Sequence, residues 1–116
     1  MDATKPRSID IKKKADNMAY GCQNLRVDKA AGEGASFQFN NKTRLHVQID
    51  FLEQNLVLDP ATHEVVPNLT LDPGQSSDPL LVNVDLGHGT YMYRVYLVEA
   101  QIEAEGGSRP GIEIVP

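Results

Sequence analysis

The chain has 116 residues, 41% of them hydrophobic and 23% charged, with a formal charge of −5 at neutral pH. This is the composition of one globular domain over residues 1–116, and it excludes a disordered chain. The acidic balance argues against nucleic acid or an anionic membrane as partner, and no apolar run approaches the roughly 20 residues that cross a bilayer.

Residues 1–7 read as a flexible tail. The basic residues Lys5, Arg7, Lys12, Lys13 and Lys14 near it read as tail or solvated strand edge. Alternation with period two begins at Ile9 and Ile11, which bracket Asp10. After a break at Tyr20-Gly21, Leu25 and Val27 form a second strand. Phe37 and Phe39 form a third, entered through a flexible Gly32-Glu33-Gly34 segment. The clearest strand covers 44–52: Leu45, Val47, Ile49 and Phe51 face one way, Arg44, His46, Gln48 and Asp50 the other. Leu56 to Leu58 follow, then a loop opened by Asp59-Pro60 and an edge strand over 65–71. Asp72-Pro73-Gly74 stops that strand, because Pro fixes φ and Gly accepts a positive φ.

A strand over 80–86 precedes Gly87-His88-Gly89, which launches the second clear strand, 90–98. Its faces are Tyr91, Tyr93, Val95 and Leu97, and Met92, Arg94, Tyr96 and Val98. The apolar phase then shifts to Ala100, Ile102 and Ala104, which predicts a β-bulge, with a short helix over 97–105 as the alternative. Residues 106–110 make the last turn, and Ile112, Ile114 and Val115 the closing strand. About seven or eight short strands with frequent turns predict an all-β, antiparallel Greek-key β-sandwich of the immunoglobulin-like kind. Trp is absent and aromatics are scarce, so its core falls to Val, Leu and Ile.

Two stretches carry a family likeness. Phe39-Asn40-Asn41 followed by His46, Ile49 and Asp50 resembles the plastocyanin-like run in which an aromatic and paired Asn precede a ligand His. Pro73-Gly74, Gly89-Thr90-Tyr91-Met92-Tyr93 and the closing strand from Gly111 to Val115 are similar to that family's turn, penultimate strand and last strand. The chain thus resembles a cupredoxin over about two-thirds of its length, which implies a sandwich built around a blue-copper pole. That site needs two imidazoles and a thiolate. The resemblance puts Val95 at the thiolate position and Val98 near the second His, while the segment 99–105 has neither His nor Met. Only His46 matches, so the implication is a copper site lost and a pole filled with branched hydrocarbon.

Other residues offer little chemistry. Cys22 is the one cysteine, which rules out an internal disulfide and reads as a small buried hydrophobe. His63 and His88 read as loop residues, and His46 with His88 is the remaining candidate metal pair. Asp59, Asp72, Asp78 and Asp85 fall at turns, where Asp bonds its own backbone. No nucleophile elbow or phosphate cradle is readable, so an enzyme is not expected and no cofactor is assigned. Asn41-Lys42-Thr43 and Asn68-Leu69-Thr70 match the glycosylation acceptor pattern, which is frequent by chance. Residues 1–14 lack a secretory core, so the expected compartment is the cytoplasm, or the periplasm or exterior if a leader was removed. The face of Met92, Tyr96 and Val98, with Ile102 extending it, is more apolar than a solvated face requires. These residues are the candidate interface of a non-enzymatic module that contacts a protein or itself as a homodimer; the alternative is a metal-handling protein that uses His46 with another His.

Overall fold

In sequence order the strands are β1 (Arg7–Lys13), β2 (Tyr20–Cys22), β3 (Leu25–Asp28), β4 (Ser36–Asn41), β5 (Val47–Phe51), β6 (Val57–Leu58), β7 (Asn68–Leu71), β8 (Leu80–Val82), β9 (Gly89–Leu97), β10 (Ile102–Glu103) and β11 (Gly111–Val115). They come from a computed structural model that describes residues 7–13, 20–28, 36–104 and 110–115. Most of the expected tail, the Gly32-Glu33-Gly34 segment and residues 106–109 of the last expected turn lie outside the described residues; Arg7, assigned to the tail, begins β1.

One sheet has the order β2-β1-β4-β8-β6, and the other β3-β11-β9-β5-β7 with β10 added beside β9. From β2 to β9 successive strands alternate between the sheets, so the chain crosses the core at each connection, which two stacked meanders would not do. The all-β sandwich is the fold expected from the alternating pattern. Its ladders are mostly antiparallel, but β1 pairs parallel with β4 and β11 parallel with β3. The strands number eleven, not seven or eight, among the described residues. The three extra ones, β2, β6 and β10, span two or three residues and are too short to display a period. Tyr20-Gly21, read as a break, belongs to β2 and pairs with β1.

Two other boundaries moved for local reasons. The expected strand 80–86 ends at Val82, because the Asn83 side chain accepts from the Asp85 amide and starts a 3-10 turn over Val84–Leu86. The expected strand 65–71 shortens to β7 behind Pro67, which has no N–H for a ladder.

Among the described residues the buried apolar ones are five each of Ile, Leu and Val, three Phe, Tyr93 and Ala104. Aliphatics therefore dominate the core, yet every Phe of the chain is in it. Phe39 on β4 packs edge-on against Tyr93 on β9, with ring centroids 5.6 Å apart, which joins the two sheets through their aromatic centre. The Tyr93 hydroxyl donates to the carbonyl of Gln23 at 2.7 Å, where the chain passes from β2 to β3. Cys22 is half-buried, its sulfur 3.2 Å from that hydroxyl. Ile49, at the centre of β5, is fully buried while Thr70 on the neighbouring edge strand is exposed. Ile49→Ala is expected to cost about 2–5 kcal/mol in urea unfolding at unchanged m-value, and Thr70→Ala less than about 0.5 kcal/mol.

Candidate functional site

The pole named by the resemblance is organised by Asn41. This residue ends β4 and is only 2% exposed, so its amide must find partners inside the protein. Its nitrogen donates to the carbonyls of Leu45 at 2.8 Å and Asp72 at 3.0 Å. Its oxygen accepts from the Thr43 amide and hydroxyl at 3.0 and 2.7 Å. These bonds fold residues 42–45 into a turn, which is why β5 begins at Val47 and not at Arg44. They also draw in the Asp72-Pro73-Gly74 turn, whose Gln75 amide donates to Asp72 O at 3.0 Å and whose Gly74 has φ 76°. That positive φ is the type II geometry the residues predicted.

Opposite, β9 ends in a tight hairpin. The Gln101 amide donates to Leu97 O at 2.9 Å, Gln101 takes φ 57°, and Ile102 returns to pair with Leu97. Neither the expected bulge nor the alternative helix is present: the phase shift after Val98 marks a turn that reverses the chain. The hairpin delivers Glu99 to His46. One carboxylate oxygen accepts the His46 backbone N–H at 2.7 Å, and the other accepts from ring Nδ1 at 2.5 Å. Nε2 lies 3.7 Å from an Asp72 carboxylate oxygen. The bond to Glu99, and then the charges of Glu99 and Asp72, raise the His46 pKa above its ordinary value. The same bond lowers that of Glu99.

The pole is therefore not capped by hydrocarbon. Val95 is fully buried and paired with Ile49, two residues inside the end of β9. Val98 is 40% exposed, its amide bonded to His46 O. Around His46 stand carboxylates, on opposite nitrogens of the ring, so Glu99 and Asp72 cannot share one ion with it. Among the described residues no three His, Cys, Asp or Glu side chains are grouped to hold a metal. His88 precedes β9 while His46 adjoins its end, so about ten residues of extended chain, roughly 30 Å, separate the candidate pair. His63 occupies the turn closed by Asp59, whose carboxylate accepts from the Ala61 and Thr62 amides. Of the two glycosylation patterns, Asn41 has its amide nitrogen committed inside the protein, and Asn68 is exposed on the edge strand β7.

The second site is the outer face of the β3-β11-β9-β5-β7 sheet. Met92, Arg94, Tyr96 and Val98 share it with Gln48 and Asp50 of β5. Leu52 stands beside Met92, to whose carbonyl its amide donates. Among the described residues the large apolar side chains left exposed are Leu52, Val65, Met92, Val98 and Ile102; Leu52, at 53%, and Met92 lie at one end of this face and Val98 at the other. Sequence reading missed Leu52, the last residue of the strand expected over 44–52, because its place beside Met92 depends on the register between β5 and β9. Ile102 does not extend the face: it pairs with Leu97 and shares the phase of the inner layer. At the centre Arg94 Nη2 donates to Asp50 at 3.1 Å, and its guanidinium lies 5.7 Å from the centroid of the Tyr96 ring. Beside Met92, a depression of about 330 Å³ opens over Gly111, walled by Arg26, Thr90 and Glu113. β10 is bonded to the flank of β9, in the plane of the sheet, so it widens the sheet and leaves the face open.

The His46–Glu99 pair sets a pH window. A raised His46 pKa adds stability that is full below about 6.5 and lost as pH rises through the folded value. A lowered Glu99 pKa adds stability present above 4.5 and lost as pH falls. The His46 ring protons followed by NMR should titrate with a midpoint above 6.5, and Glu99→Gln should return it toward that value. No protein-family model and no curated protein matches the chain.

Proposed function

We propose that this chain is a cupredoxin-like β-sandwich without a type-1 copper centre that serves as a non-enzymatic self-association module. The observation that carries this reading is the open outer face, where Leu52, Met92, Tyr96 and Val98 flank the Arg94–Asp50 ion pair. An apolar patch of this kind with charges at its centre and rim is the anatomy of a protein contact. The cupredoxin likeness is supported by the adjacency of β9 to both β11 and β5, which sets the head of β5 beside the end of β9. The loss of the copper centre is supported by the replacement of the expected thiolate and second imidazole by Val95 and Val98. The metal-handling alternative lacks its second imidazole beside His46.

Sedimentation at protein concentrations from about 5 to 500 μM covers the range expected for a contact of this small size. A concentration-dependent dimer is expected. Tyr96→Asp should raise its dissociation constant roughly 30-fold, the effect of losing the aromatic contact beside the central ion pair. Ser8→Asp, on the other sheet, should leave it unchanged. A strictly monomeric chain over the whole range refutes the reading.

A further inference from the structure

Resting on that self-association reading, the ladder between β5 and β9 points to the occupant of the face and to its orientation. Its outward rungs pair Gln48 with Tyr96 and Asp50 with Arg94, and Leu52 follows beside Met92. Each rung joins unlike side chains of a kind that can pair again: acid with base in the middle, aliphatic with thioether at one end, amide with phenol at the other. A homodimer contact is isologous, so a face that serves one must be complementary to its own rotated image.

We propose that a second copy docks on this face about a two-fold axis that runs parallel to the strands, between β5 and β9. That rotation keeps the position along the strands and exchanges the two strands. Arg94 then faces Asp50 of the second copy, Met92 faces its Leu52, and Tyr96 faces its Gln48. The flanking rung adds Thr70 of β7 against Glu103 of β10, since Gln48 pairs with Thr70 and Tyr96 with Glu103. No like charges oppose each other on any of these rungs.

Two further features fit. Strand lines stay aligned across the contact near the axis, close to the geometry in which sheets stack face to face, and the twist of each sheet turns the outer strands away from one another. Rungs far from the centre then diverge, so the contact concentrates on Asp50 and Arg94. Arg94 bonds its own Asp50 through Nη2, and its buried Nε has no partner among the described residues. A guanidinium carries five N–H donors. Enough remain for the carboxylate of the second copy, and two cations and two carboxylates then alternate around a square. A two-fold axis perpendicular to the strands and centred on the same rung would instead set Arg94 over Arg94.

Charge reversal on separate chains tests this arrangement. Asp50→Arg and Arg94→Asp alone should each be monomeric, because each homodimer would oppose like charges. Mixed together they should form a one-to-one heterodimer, although each chain still carries like charges on its own rung. Restored internal pairing cannot produce that result. Leu52→Glu mixed with Met92→Lys repeats the test at exposed positions, where folding is not at stake. Heterodimers at least ten times more stable than either homodimer are the expected result. A wild-type dimer that neither reversal weakens, or a pair of variants that fails to recombine, overturns the docking mode and leaves self-association intact. A monomeric wild-type chain overturns both.

Discussion

A buried amide at one end of the sandwich governs the geometry around it. Asn41 is only 2% exposed, where water cannot serve it, and leaving its donors or acceptor unmet would cost on the order of 1–3 kcal/mol for each group. It is satisfied by bending the chain at Thr43 toward it and by holding the Asp72 turn against it. The point where β5 starts, the height at which His46 emerges and the approach of Asp72 to the ring all follow from that requirement.

At the same end the residue types decide which chemistry is possible. Imidazoles and a thiolate hold a soft redox metal. An imidazole between two carboxylates holds a proton instead, because Glu99 accepts from one ring nitrogen and Asp72 faces the other. The ligand loop that the resemblance implies is here a four-residue turn, and Val95 lies too deep in the ladder to reach the surface.

On the outer sheet face, exposure and order coexist. The hydrogen-bonded ladder fixes the backbone that carries the apolar side chains there, and the half-buried Arg94–Asp50 pair with Tyr96 beside it limits the rotamers available at the centre. A surface ordered in advance loses less side-chain entropy on contact, which favours association even through a small area.

The sequence by itself determined the sandwich and most of its core. Ile9, Ile11, Phe37, Phe39, Val47, Ile49, Tyr93 and Val95 alternate strictly with polar or outward-facing neighbours, and a period of two can bury only one side of a strand. The Asp72-Pro73-Gly74 turn was legible for an equally local reason, since φ is fixed by the residue itself. The face of Met92, Tyr96 and Val98 was legible as a residue set, but its openness depended on where the hairpin returned. His46 was legible as an unusual residue at a strand head, but its partner was not. Glu99 lies 53 residues away and reaches it only because the chain turns between Val98 and Gln101, where the apolar phase predicted a bulge. Tertiary structure alone decided the parallel pairings, the Leu52–Met92 neighbourhood and the separation of His46 from His88. Each of these depends on strand order and register, which are set by contacts between segments remote in sequence and leave no trace in the period of either one.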